Sequence, residues 1–191
     1  MPEHVLITAA DASTSLQSAV AAIRRGELVV FPTETVYGIG ARADMPDAVR
    51  RIYIAKARPP EKPLAFHIGD WDMFARIAGA QPERVIKLLR AYWPGPVTFL
   101  CDVAGQKTGF RFPSDPVAQA LLKQSELPVV GTSANRSGEP SPTDVAMTAS
   151  VAPCAAVLLD AGPTALRGDS TIIDVTCEPP VCVRRGVAPW P

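Results

Sequence analysis

Short apolar runs, each cut off by proline or glycine, alternate along this chain with stretches whose apolar residues recur every three or four positions. That alternation restricts the fold to an α/β architecture. Ser13 to Arg25 puts Leu16, Ala19, Val20 and Ile23 on one helical face and stops at Gly26, a glycine placed to end a helix. Leu28 to Phe31 is a strand closed by Pro32. Pro46 to Lys56 reads as a helix with proline at its first position and Val49, Ile52 and Tyr53 at helical spacing. The same patterns predict helices over 71–77, 82–92, 116–125 and 143–150. They predict strands over 64–68, 97–103, 157–160, 171–175 and 181–184, with another starting at Val129. The strand-rich end makes a mixed sheet the expectation rather than a purely parallel one.

The 20 prolines are spread through the 191 residues and form no linker, and no repeat or charge block divides the chain, so a single domain over 1–191 is expected. Charged residues make up 20% and the formal net charge is +0, which argues against bulk polyanion binding but leaves room for a local basic groove. Among the cations 14 are Arg and 5 are Lys, which favours bidentate recognition of carboxylate or phosphate. Cys101, Cys154, Cys177 and Cys182 form no C-x-x-C pair, and the two histidines, His4 and His67, add no zinc spacing. Cys101 and Cys182 lie in apolar runs and are read as buried thiols. No signal peptide and no apolar stretch of bilayer length is visible, so no membrane and a reducing cytoplasm are expected.

Residues with useful chemistry cluster just after strands, where α/β folds place ligands. Pro32 to Gly38 (PTETVYG) offers two hydroxyls, a carboxylate and a phenol; on residues alone it is a ligand loop or an ordinary strand-to-loop turn. Lys56 to Pro63 (KARPPEKP) carries Lys56, Arg58 and Lys62 on a stretch stiffened by prolines, which suits a triphosphate. The same cations at a helix end also suit the helix dipole. His67 closes an apolar run. Arg111-Phe112-Pro113 puts an arginine in a short strand, with Lys107 in a glycine-containing loop before it. Gly131 to Gly138 follows Val129-Val130 with small residues and hydroxyls, an anion cradle or a turn, and it is no P-loop. Trp93 to Thr98 reads as a rigid entry into a strand, with Trp93 packed on the core.

In order, the segments PTETVYG, KARPPEKPL, WPGPVTF, RFP, GTSANRSGEPSPT, DSTIIDV and VRRG resemble the YrdC-like family, the threonylcarbamoyl-AMP synthases, from about Gly26 to Gly186. The resemblance implies a twisted mixed α/β sheet with flanking helices and a concave, positively charged face. It implies an enzyme, a nucleotidyltransferase that makes threonylcarbamoyl-AMP and pyrophosphate from L-threonine, bicarbonate and ATP, with Mg2+ accompanying ATP and no metal ligand from a side chain. The product feeds threonylcarbamoyladenosine formation in tRNA. By the same resemblance Lys56, Arg58, Lys62, Lys107, Ser133, Asn135, Ser141 and Arg184 take ATP, with Lys56 and Arg58 catalytic. Thr35, His67, Arg111, Gly131 (through its backbone) and Ser170 take threonine. Implied partners are a downstream tRNA-modifying complex and tRNA or double-stranded RNA on the concave face. The chain stops at Pro191, soon after VRRG, which reads as the short single-domain form, and Phe112 is an apolar variant beside Arg111.

Two other readings come from different classes. An RNA-binding module would need a cationic footprint that zero net charge does not favour. A carbamoyl transferase with another acceptor usually carries this domain inside a much longer chain.

Overall fold

The computed structural model describes residues 1–6 and 12–191, with side chains of the first helix from Leu16 onward. Among the described residues there are ten strands: β1 (Glu3–Leu6), β2 (Val29–Phe31), β3 (Gly38–Arg42), β4 (Ala65–His67), β5 (Val97–Val103), β6 (Gln106–Arg111), β7 (Val129–Ser133), β8 (Val157–Asp160), β9 (Thr171–Asp174) and β10 (Val181–Arg184). The same described residues form the α-helices α1 (Ala12–Arg24), α2 (Pro46–Lys56), α3 (Trp71–Ala78), α4 (Glu83–Tyr92) and α5 (Pro116–Ser125).

All ten strands form one sheet in the order β1-β8-β2-β3-β7-β4-β6-β5-β9-β10. It is mixed, as expected: β1/β8, β2/β8, β4/β6 and β5/β9 run parallel and the other pairs antiparallel. Side chains alternate between faces along each strand. Phe99, Phe110 and Ile173 therefore point to one face, where they join Phe74, Leu89 and Trp93 from α3, α4 and the chain after α4. Val30, Ile39 and Val130 extend that face under Ala48 and Ile52 of α2. On the opposite face Val29, Phe31, Val129 and Leu159 pack against Ile23 of α1 and Leu121 and Leu122 of α5. Farther toward β10 this second face carries a cleft instead of a helix.

Two strands, β1 and β3, were not legible in the sequence, and three predictions are corrected. β1 was missed. Gly38 and Gly40 were read as loop but lie in β3, because a side chain at either would meet the Phe31 ring, at 3.2 and 3.0 Å from a Cβ. Lys107 sits in β6 rather than a loop; the turn lies at Ala104 and Gly105, both with positive φ, as a tight hairpin requires. The helix expected over 143–150 is instead a 3₁₀ turn at Val145–Thr148, followed beyond that stretch by a second at Ala152–Cys154. The Thr148 hydroxyl donates back to Val145 O, and Pro153 removes a donor that a continued helix needs. Cys101 is buried as expected, but Cys182 is only half-buried because β10 is an edge strand.

Candidate active site

The cleft is built on a single row of cross-strand partners. His67 pairs with Arg111, Arg111 with Thr98, Thr98 with Ile172 and Ile172 with Arg184, across β4, β6, β5, β9 and β10. Directly opposed residues share a face, so all five side chains turn to the same side, and all five line the cleft. Two residues along, the row Gly40, Gly131, Ala65 and Gly109 crosses β3, β7, β4 and β6 on the same face. A floor of glycine and alanine leaves open volume where larger side chains would fill it. A Cβ on Gly131 would stand 3.2 Å from His67 Cε1 and 3.0 Å from Ile39 O.

Arg111 is buried, and its Nη2 donates to Glu34 Oε1 at 2.6 Å and to Thr35 Oγ1 at 3.3 Å. Its Nε and Nη1 have no protein partner among the described residues. Burial pushes the guanidinium down to about 10, against the pull of Glu34, which favours the charged form. His67 is pushed down to about 4, first by burial and then by the Arg111 charge, so the ring is neutral. Its Nδ1 lies 3.2 Å from Ala65 O; a carbonyl only accepts, so Nδ1 carries the proton and Nε2 is left as an acceptor. Ser170 Oγ lies 2.9 Å from Thr98 Oγ1, and Arg184 Nη2 donates to Ser170 O at 2.8 Å and to its Oγ at 3.1 Å. Asp169 stands 3.7 Å from Arg184. Thr35 is pinned by Thr33, whose hydroxyl is 2.8 Å from that of Thr35 and donates to Val36 O.

The structure thus brings Thr35, His67, Arg111, Gly131 and Ser170 together in one cleft with Arg58, Ser133 and Arg184. Five other residues singled out in the sequence do not line it. Lys56 is buried, with its ammonium on the carbonyls of Ser133 and Asn135 and Asn135 Oδ1 at 3.4 Å. Burial and the nearby Arg58 charge push it down to about 8. Asn135 spends its amide on Glu139 O at 2.7 Å and Arg136 O at 3.1 Å, closing its own loop. Lys62 is exposed, and its carbonyl accepts from Arg58 Nε at 2.9 Å, so Arg58 staples the proline-rich loop while lining the cleft. Burial lowers the Arg58 guanidinium. Lys107 is paired with Asp174 at 2.5 Å, on the cleft face but four residues along β6 from Arg111, roughly 13 Å at strand spacing. Ser141 is half-buried in the loop whose Pro142 O accepts from Tyr37 N.

The Sua5/YciO/YrdC family model, described as telomere recombination, matches residues 21–186. The chain belongs to this family. A threonylcarbamoyl-AMP synthase of Bacillus subtilis is 39% identical over 183 residues, 90% of this chain and 53% of that protein. One from Pyrococcus abyssi is 39% identical over 181 residues, 87% of this chain and 52% of the relative. The crystal structure of Pyrococcus abyssi Sua5 complexed with L-threonine superposes with a TM-score of 0.88 at 36% identity, over 97% of this chain and 57% of that one. The chain spans about half the length of these relatives.

Within this Sua5/YciO/YrdC domain, Glu34, Thr98 and Asp169 are polar residues at the site to which the sequence assigns no role. Glu34 was one carboxylate in a turn-like segment, and only folding shows it against Arg111. Thr98 reads in the sequence as part of a structural strand entry. Asp169 preceded Ser170 with nothing to mark it. No group of three or more His, Cys, Asp or Glu side chains gathers to hold a metal among the described residues. No described helix is long and apolar enough to cross a membrane.

Proposed function

We propose that this domain makes threonylcarbamoyl-AMP and pyrophosphate from L-threonine, bicarbonate and ATP. The observation that supports it best is Arg111: a buried guanidinium with two unpartnered nitrogens, beside a neutral histidine, in a domain that superposes on Pyrococcus abyssi Sua5 complexed with L-threonine. The substrate carboxylate accepts from Arg111. Thr35, Ser170 and His67 Nε2 meet the hydroxyl and amine, and the small floor at Gly131 admits the side chain. The ATP phosphates lie toward Arg58, Ser133 and Arg184, with the loop of Lys56 and Asn135 shaping that end and Lys62, Ser141 and Lys107 placed farther out.

The chemistry is positional. The threonine amine adds to the bicarbonate carbon and water leaves, giving a carbamate. A carbamate oxygen attacks the α-phosphorus, the bond to the bridging oxygen breaks, and pyrophosphate departs. Fixed cations at the phosphates stabilise the charge that develops. Holding three substrates in line supplies much of the remaining rate. Mg2+ would enter this reading as the counter-ion that accompanies ATP.

The mixed anhydride is short-lived, so the product passes to a tRNA-modifying complex, in the cytoplasm. Contact with tRNA or double-stranded RNA, and a positive concave face, belong to the same reading; the charges at the cleft are Arg58, Arg111 and Arg184 against Glu34 and Asp169. Residues 1–191 carry the reaction as one domain. Purified protein with ATP, bicarbonate and labelled threonine should release pyrophosphate only when threonine is present. Threonine-independent release, or none, overturns the reading.

A further inference from the structure

Behind Arg111 lies a residue to which the reaction above gives no part. Glu34 is buried on the loop after β2 and does not line the cleft. Its Oε1 takes one proton of Arg111 Nη2 and Thr35 Oγ1 faces the other, at 2.6 and 3.3 Å. The guanidinium is planar and rigid, so fixing Nη2 fixes where Nε and Nη1 point. Those are the two nitrogens left to a ligand, and no other described side chain accepts from Arg111. Glu34 itself sits on an anchored loop. Its carbonyl accepts from Leu166 N at 2.8 Å, and that of Thr35 from the Thr164 hydroxyl at 2.8 Å. A buried arginine without this partner would be free to turn toward any other acceptor. Asp115, a carboxylate within electrostatic reach of Glu34, is occupied in capping α5 through Val117 N and Ala118 N.

We propose that Glu34 is a positioning residue that aims Arg111 at the carboxylate of the amino-acid substrate, an inference that rests on the threonine reading of the cleft. It acts by contact at a fixed length rather than by charge alone. Two variants separate these terms. Glu34→Asp keeps the charge and withdraws the oxygen by one methylene; Glu34→Gln keeps the length and an acceptor oxygen without the charge.

The test is threonine-dependent pyrophosphate release, with KM for threonine and for ATP measured separately and thermal melts run alongside. Glu34→Asp should raise the threonine KM by roughly tenfold or more and leave the ATP KM within about twofold. Glu34→Gln should rescue the threonine KM to within about threefold of the native value. An unchanged threonine KM in Glu34→Asp overturns the proposal, and so does a parallel rise of both constants, which would mark Glu34 as support for the fold. A Gln variant worse than the Asp variant overturns aiming by contact. If Glu34→Gln does not fold, the split between the two constants in Glu34→Asp decides alone. Native protein that shows no threonine dependence overturns the substrate reading itself, and this inference with it; active native protein with an unaltered Asp variant overturns the Glu34 inference only.

Discussion

The Lys56 ammonium, at the last residue of α2, donates to the backbone carbonyls of Ser133, which ends β7, and of Asn135 in the loop just beyond it, so the two segments that read as separate phosphate motifs are one clamped structure. The helix ends there because Ala57 takes a left-handed conformation, which turns Arg58 away toward the cleft while Lys56 stays beneath. Lys56→Met keeps the stem and removes the donors, leaving buried carbonyls unpaired at a cost of about 1–3 kcal/mol. A fall in melting temperature of about 5 °C is expected for a chain of this size. Pyrophosphate release should drop by more than about tenfold, because Ser133 loses its fixed position. A thermal melt beside the release assay checks both; an unchanged melt removes the clamp.

His67 makes the acid limb of stability predictable. Its folded pKa of about 4 lies below its ordinary value of 6.5, so the folded state binds fewer protons between those values. The contribution is fully present above pH 6.5 and is lost as pH falls from 6.5 toward 4, by about 3 kcal/mol at the end of that window. Denaturant unfolding at pH 7 and pH 4.5 should show a smaller loss in His67→Gln than in the native protein. The chain has two histidines, so a proton NMR titration can follow the His67 ring directly. A ring that titrates near 6.5 would sink this prediction.

What the sequence made legible follows from what is local. Helices α2 and α5 and strands β5, β8 and β10 were readable to the residue because Pro46, Pro116 and the apolar runs act on their own neighbours. The order of motifs along the chain carried the family. Long-range pairing was beyond reach. Nothing near Glu34 announces a partner 77 residues away, and nothing near Thr98 announces Ser170, 72 residues on. β3 was hidden because its glycines serve the Phe31 ring, and glycine ordinarily signals a turn. Lys56 reads in sequence as a cation at a helix end suited to a triphosphate, and only packing shows its ammonium on the carbonyls of Ser133 and Asn135.

Arg111 should separate the two ends of the cleft. Arg111→Ala removes the guanidinium expected to meet the amino-acid carboxylate and strands Glu34 as a buried charge. Breaking a buried pair this way costs about 3–5 kcal/mol. The threonine requirement is expected to rise, with the ATP requirement little changed. Steady-state kinetics with each substrate varied in turn, on protein shown to be folded by circular dichroism, makes the measurement. A defect confined to ATP would mean that the threonine and nucleotide ends are assigned the wrong way round.

Gly131 tests whether the small floor matters as space. It pairs with Gly40 and Ala65 in the centre of the sheet, where any residue could take the backbone conformation, so its reason for being glycine is room. An alanine Cβ would lie 3.0 Å from Ile39 O, which belongs to the sheet and cannot retreat, and 3.2–3.3 Å from His67 Cε1 and Nδ1, which can. The ring must therefore shift, stretching its hydrogen bond to Ala65 O. Overpacking of this kind costs about 1–3 kcal/mol. Gly131→Ala should fold with a modestly lower melting temperature and a raised threonine KM, while Gly105→Ala provides the control: a Cβ there meets nothing within 4 Å, but φ is +81°, so any loss comes from backbone strain alone, far from the cleft. If Gly131→Ala loses only stability, like the control, the floor is a packing feature and His67 does not depend on it.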